Sequence, residues 1–164
     1  MKLIDQLISR ISLIKDCEVL LSEGLPVTNS THILPSDVQE FYKLCGGVNL
    51  YKGSDYSISI VRPEEFVLSS HVILGEIYED DISSHWYVIG KGGTSEYISI
   101  DLAPERYGRC YDSFAETFGL AGDSPIIASS FTELLKRLID NKGERYYWLD
   151  DNFIPIGDAY DDLE

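Results

Sequence analysis

Apolar side chains recur with the period of an α-helix at the start of the chain. Leucine and isoleucine fall about one turn apart between Leu3 and Ile14, and polar residues such as Asp5 and Arg10 occupy the positions between them. This pattern predicts an amphipathic helix over Lys2 to Lys15.

Two further helices are predicted from the residues at their ends. Ser36 and Ser130 are each followed, three residues later, by a glutamine or a glutamate, which is the pattern of a capping box at a helix N-terminus. An apolar stripe follows in both cases. Gly46–Gly47 and Gly143 supply the left-handed residue at which each helix is expected to stop.

Between these helices the apolar period changes to two, which indicates β-strands. The clearest case is a hairpin whose two strands flank a glycine turn at Lys91–Ser95. In its second strand Ile98 and Ile100 are expected to face a buried side of the sheet, whereas Ser99 and Asp101 face a wetter side. The predicted strands are Val48–Leu50, Tyr56–Ile60, His85–Gly90, Glu96–Leu102 and Arg109–Asp112.

Three other segments are assigned one by one, and of these the stretch from Glu64 to Gly75 suits neither period. We predict a short helix at Pro63–Leu68, a loop at Glu76–Asp81 and a last edge strand at Arg145–Leu149. Because short turns join adjacent strands, the strands should pair antiparallel. The expected fold class is therefore α+β, with a single domain over residues 1–164 and a mainly antiparallel sheet.

The chain is strongly acidic, with 28 acidic and 13 basic residues and a formal net charge of −15. Such a charge disfavours contact with nucleic acid or an anionic membrane, and it favours a cationic partner. Glu64 to Asp81 holds six acids and no lysine or arginine, and Glu144 to Glu164 holds seven acids and one arginine. This grouping favours a surface that steers a partner, and the alternative is that the charge serves solubility alone.

No motif for catalysis, a metal or a cofactor is evident. His32, His71 and His85 share no metal-ligand spacing, and the Gly90–Thr94 turn precedes a strand, whereas a phosphate loop would precede a helix. We therefore expect no catalytic residue, no metal and no cofactor. The three cysteines show no CxxC spacing and the N-terminus lacks a continuous apolar signal segment, so we expect a cytoplasmic protein.

Tyrosine and tryptophan occur beside the acidic segments. Trp86 and Tyr147 belong to runs of adjacent aromatics, which must face opposite sides of a strand. We expect these two residues to contact a protein partner, and the alternative is that they fill a second small core. Acids from the tail, residues 150–164, join them. The predicted partner-binding residues are Glu76, Glu79, Asp80, Asp81, Trp86, Tyr147, Asp150 and Asp151.

Several short motifs, taken in their order along the chain, resemble the SUKH superfamily. This superfamily includes the family of a fungal cell-wall-assembly regulator and many bacterial proteins. The resemblance covers about residues 34–139, and Cys45 stands where the family often has asparagine before the glycine pair. The motifs are Leu34–Pro35 opening a helix with Phe41 that closes at Gly46–Gly47, Ile89–Gly90 with Gly92–Gly93, Tyr97–Asp101, Cys110–Tyr111, and Ile127–Phe131 leading into Leu134–Leu135.

The resemblance implies an α+β fold with a twisted antiparallel sheet flanked by helices. Many bacterial members are immunity proteins that bind and neutralise toxins, frequently nucleases or deaminases, whereas the fungal members are regulatory scaffolds. Resemblance and charge together lead us to expect a non-enzymatic cytoplasmic immunity protein that occludes a cationic toxin domain. The alternatives are a regulatory scaffold for protein interactions, and a small-molecule-binding protein or unrecognised enzyme. The oligomeric state is left open.

Overall fold

The computed structural model describes residues 2–29 and 31–161. Seven strands within these residues form one β-sheet. Each strand pairs antiparallel with the next one along the chain, so the order in the sheet is the order in the sequence. The expected α+β class with an antiparallel sheet is confirmed. The strands are β1 (Glu18–Val19), β2 (Val48–Leu50), β3 (Ile58–Ile60), β4 (Trp86–Lys91), β5 (Tyr97–Asp101), β6 (Cys110–Asp112) and β7 (Ile126–Ala128).

The predicted hairpin, formed by β4 and β5, lies at the centre of this sheet. Tyr87 is opposite Ile100, and the register shifts between Val88 and Gly90. The predicted strands at β2, β3 and β6 are confirmed as well. Strands β1 and β7 are not among the predicted strands.

Helices on one face of the sheet build the main core. The apolar stripes of α1, α2 and α4 are buried there, and the rings of Phe41 and Phe131 meet edge to face at 5.0 Å. The three predicted amphipathic helices are therefore confirmed. The helices are α1 (Leu3–Ser12), α2 (Ser36–Leu44), α3 (Ser69–Leu74) and α4 (Phe131–Asn141).

The predicted helix caps have different outcomes. Ser130 is the N-cap of α4, and its hydroxyl accepts a hydrogen bond of 3.1 Å from the backbone N–H of Glu133, as predicted. The prediction for Ser36 is wrong, because α2 begins at that residue and Pro35 precedes it as an N-cap without a side-chain hydrogen bond. The left-handed residue that ends α4 is Lys142, with a φ of 59°, one residue before the predicted Gly143, which follows with a positive φ of 67°.

The glycine pair after α2 has a different role from the one predicted. Cys45 caps the helix in an extended conformation, and the positive φ of 123° at Gly47 comes two residues after that cap. A Cβ atom on Gly46 would lie 2.1 Å from the carbonyl oxygen of Leu21, and one on Gly47 would lie 2.7 Å from that of Ile60. The pair therefore allows neighbouring backbone segments to approach closely.

The opposite face of the sheet is also covered, so the prediction of a wetter side is wrong. Ser99 and Asp101 are completely buried. The helix α3 contributes to this cover, and the hydroxyl of Ser69 lies 2.7 Å from that of Ser99. The short helix expected at Pro63–Leu68 is a 3-10 turn, Pro63–Glu65, that precedes α3. The second core consists of Trp86, Tyr111, Phe118, Ile126 and Ala159.

The C-terminal segment closes the edge of the sheet. The strand expected at Arg145–Leu149 is wrong, because Tyr147–Leu149 forms a 3-10 turn. Farther on, the backbone N–H of Ile126 donates to the carbonyl of Gly157 at 2.8 Å, so the tail lies along β7. Residues 162–164 of the predicted acidic tail lie outside the described residues. In the part of the chain that is described, no helix has the length and apolar content needed to span a bilayer.

Candidate partner-binding surface

The acidic loop, Glu76–Asp81, connects α3 to a 3-10 turn that leads into β4. Glu76, Glu79 and Asp80 are exposed, as expected for charges in a loop. None of the ion pairs seen within residues 2–29 and 31–161 involves these three carboxylates. Glu76 accepts a hydrogen bond of 2.8 Å from the hydroxyl of Tyr78, and the charge of all three carboxylates stays unneutralised by the ion pairs of the described residues.

Asp81 is held from two sides. It accepts hydrogen bonds of 3.0 Å from the backbone N–H of Ser83 and from the phenol of Tyr160. Burial, and after it the negative charges of Asp81 and Asp158, raise the pKa of Tyr160, so its hydroxyl stays a donor at neutral pH. The last described part of the tail is thus fixed beside the acidic loop, and the two acidic segments meet there.

A groove of about 460 Å³ opens next to the acidic loop. Leu74 and Tyr78 are about half exposed on its wall, and Ile77 is exposed beside them. Sequence reasoning missed these apolar residues, although two apolar side chains between acids in a predicted loop were the available signal. The groove is lined by Leu74, Tyr78, Asp80, Asp81, Ser83, Phe118 and Gly119.

Asp150 and Asp151 lie at another place on the surface. Asp150 accepts hydrogen bonds from the backbone N–H of Asn152 and from the Arg145 guanidinium, and these bonds, the first above all, hold its pKa below the usual range. Asp151 is exposed. Because Arg145 offsets the charge of Asp150, the net charge around Asp150 and Asp151 is less negative than that of the acidic loop.

Trp86 does not reach the surface, and the prediction that it contacts a partner is wrong for this structure. Its side chain is completely buried, with its rings 4.5 Å from Tyr111 and 5.8 Å from Phe118. Its indole N–H donates to Asp101 at 3.2 Å. The alternative, that the aromatics fill a second core, is correct for Trp86.

Tyr147 is half-buried at the edge of the main core. Its hydroxyl donates to the carbonyl of Ile127 at 2.6 Å, and the Arg137 guanidinium lies 5.5 Å from its ring centre. Burial raises the pKa of Tyr147. Only part of this side chain is available to a partner.

Behind the groove lies a buried carboxylate that sequence reasoning placed on a wetter face. Oδ2 of Asp101 accepts hydrogen bonds from Arg106 at 2.9 Å, Tyr111 at 2.6 Å and Trp86 at 3.2 Å. Arg106 is itself 8% exposed, so this is a buried ion pair that is also fully hydrogen-bonded. The cluster fixes Trp86, against which the groove residue Phe118 packs.

Comparison with known proteins places the chain in a family. The model of the SMI1 / KNR4 family (SUKH-1) matches residues 31–137, about two thirds of the chain. The chain belongs to this family. A relative from Bacillus subtilis (strain 168), named Immunity protein YokJ, is 50% identical over 161 residues, which is 98% of each chain. The resemblance to the SUKH superfamily is confirmed.

The SUKH-1 match includes some parts of the candidate surface and leaves out others. Strands β2 to β7, α3 and the acidic loop lie inside the matched residues, whereas α1 and the tail with Tyr160 lie outside them. The contact between Tyr160 and Asp81 therefore joins a segment beyond the SUKH-1 match to one within it.

Proposed function

We propose that this SUKH-1 protein is an immunity protein, which binds a toxin domain in the cytoplasm and neutralises it without catalysing a reaction. The observation that carries the proposal is the 50% identity to Immunity protein YokJ over 98% of each chain. The partner in this proposal is a protein, and the complex itself blocks the toxin.

The charge of the candidate surface indicates what kind of toxin it suits. With a net charge of −15 and exposed acids at Glu76, Glu79 and Asp80, the protein attracts cationic partners. A toxin that acts on nucleic acid carries basic side chains where its substrate binds. An acidic protein that covers those side chains would exclude the substrate, and long-range attraction would speed the encounter.

The remaining predicted site residues have a lesser part in this proposal. Asp81 positions the loop through its contacts with Ser83 and Tyr160. Asp150 and Asp151 add to the partner's attraction from a second location, where the exposed edge of Tyr147 should slow the partner's escape. Rim charges of this kind change association rates more than they change the lifetime of a complex.

The test requires a toxin domain encoded in the same genome, sought first in the genes next to this one, which is then expressed with and without this protein. We expect the protein to restore growth and to form a stable complex with the purified toxin domain. Replacement of Glu76, Glu79 and Asp80 by their amides should lower the association rate by about tenfold at low salt and flatten its salt dependence.

The matched control replaces three other exposed acids, Asp16, Glu23 and Asp55, by their amides. This change removes the same net charge and should affect the association rate much less. Growth protection without a complex would contradict the proposed function. Equal effects of the two triple variants would contradict the acidic loop as the site of attraction.

A further inference from the structure

The groove beside the acidic loop has an apolar floor that belongs to the second core. Phe118 is only 7% exposed and packs edge to face on Trp86 at 5.8 Å, so the floor is held in position by the sheet. Leu74 and Tyr78 leave 46% and 50% of their surface exposed on the walls. Large apolar side chains that stay exposed around a depression are typical of an interaction site.

Carboxylates form the polar rim of the same groove. Asp80 and Asp81 are part of its lining, and the described residues that line it include no lysine or arginine. The carboxylates would repel an anionic segment. An apolar segment without charge would bury these carboxylates without a cationic partner, and burial of an unpaired charge is unfavourable. The chemistry of the groove therefore suits one kind of occupant, a segment that is both apolar and cationic.

We propose that this groove receives a basic amphipathic segment of the toxin domain. One aliphatic or aromatic side chain of that segment packs on Leu74, Tyr78 and Phe118, and a neighbouring lysine or arginine pairs with Asp80 and Asp81. The long stems of lysine and arginine suit such a site, because they cover apolar surface while their charged ends reach a carboxylate. This inference rests on the proposed function and specifies which kind of toxin segment the groove recognises.

The groove is organised before a partner arrives. Asp81 is already oriented by the N–H of Ser83 and the phenol of Tyr160, both at 3.0 Å. The partner therefore does not have to immobilise this carboxylate, and the entropic cost of binding is smaller. The apolar contact should limit escape of the partner, whereas the exposed acids of the loop should speed its arrival.

The experiment measures association and dissociation rates of the same purified toxin domain with the double variant Leu74→Ala and Tyr78→Ala. We expect the dissociation rate to rise tenfold or more, with an unchanged association rate and salt dependence. The matched control is Leu13→Ala with Leu21→Ala, since these leucines are 87% and 90% exposed elsewhere on the molecule. Urea unfolding verifies that each variant is folded.

Amide hydrogen exchange of the wild-type complex provides a second measurement that needs no variant. Residues 74–83 and 117–120 should become protected when the toxin domain binds. A wild-type dissociation rate for the double variant, or protection confined to other segments, would overturn this inference while the proposed function stands. Failure of the wild-type protein both to bind and to protect would overturn the proposed function and this inference with it.

Discussion

Tyr160 and Asp81 are 79 residues apart in the chain, and the phenol of the first donates a hydrogen bond of 3.0 Å to the carboxylate of the second. This bond fastens the C-terminal segment to the acidic loop. As a result, acidic residues from two distant parts of the sequence lie on one surface. Asp158 is close enough to Tyr160 to contribute to the rise of its pKa.

Replacement of Tyr160 by phenylalanine should loosen the acidic loop. The ring still packs near Trp86, but Asp81 loses a donor, which is a loss of about 1–2 kcal/mol of unfolding free energy for a bond to a charged group. Hydrogen exchange of residues 76–81 in the free protein should become faster. Tyr56→Phe serves as the control, because no hydrogen bond of the Tyr56 hydroxyl is observed among the described residues. Unchanged exchange in the Tyr160 variant would show that the bond does not order the loop.

Replacement of Asp101 by alanine should be among the most destabilising changes in this chain. Arg106 would lose its buried partner and keep only the exposed Glu105 at 3.0 Å, and Tyr111 and Trp86 would lose an acceptor. Breaking a buried ion pair from one side costs about 3–5 kcal/mol. Urea unfolding gives the difference, with Asp55→Ala at an exposed position as the control, for which we expect a change within about 0.5 kcal/mol. A loss below 1 kcal/mol at Asp101 would contradict the role of this cluster.

The two serines at the starts of α2 and α4 should respond differently to replacement by alanine. Ser130→Ala removes an N-cap hydrogen bond to the N–H of Glu133 and should cost about 1 kcal/mol. Ser36→Ala removes no cap hydrogen bond, so we expect a change of only a few tenths of a kcal/mol. Thermal or urea unfolding of the pair checks the difference. A loss of unfolding free energy at Ser130 as small as the one at Ser36 would mean that the cap of α4 is not formed in solution.

Stability should decrease at mildly acidic pH because of His32. Its ring lies 4.7 Å from that of His85, and its Nδ1 lies 2.7 Å from the hydroxyl of Tyr87. Burial first, and then the neighbouring His85, lower the pKa of His32 from 6.5, while Asp101 acts in the opposite direction. The unfolded chain therefore binds this proton more readily, and the unfolding free energy falls as the pH drops through 6.5 toward the lower folded value.

Urea unfolding measured between pH 5 and pH 7.5 tests whether the unfolding free energy falls as the pH drops. His32→Gln should make the unfolding free energy less dependent on pH in that range, because the amide does not titrate. His71 is exposed on α3, and His71→Gln should leave the wild-type slope in place. If the unfolding free energy of the His32 variant depends on pH as strongly as that of the wild type, groups other than His32 cause the dependence.

Several elements follow from the spacing of residues along the chain alone. The apolar stripe of α1, the Ser130 cap and the β4–β5 hairpin depend on contacts between residues a few positions apart, so the pattern is sufficient to predict them. The charge of the acidic loop was also predictable, since adjacent acids without basic neighbours stay in water. The structure leaves Glu79 and Asp80 exposed in agreement with that reasoning.

The cover on each face of the sheet depends on packing between segments that are far apart in the chain. An alternating pattern indicates that a strand has two faces, but it does not show whether a distant segment packs on the second one. Here Ile73 of α3 and Tyr160 of the tail pack against the cluster that contains Trp86, and Arg106 pairs with the buried Asp101. A carboxylate in a strand is expected in water unless its partners are known, and the partners of Asp101 include the guanidinium of Arg106 and the phenol of Tyr111. The groove between Tyr78 and Phe118 exists for the same reason, because it forms where segments far apart in the chain pack together.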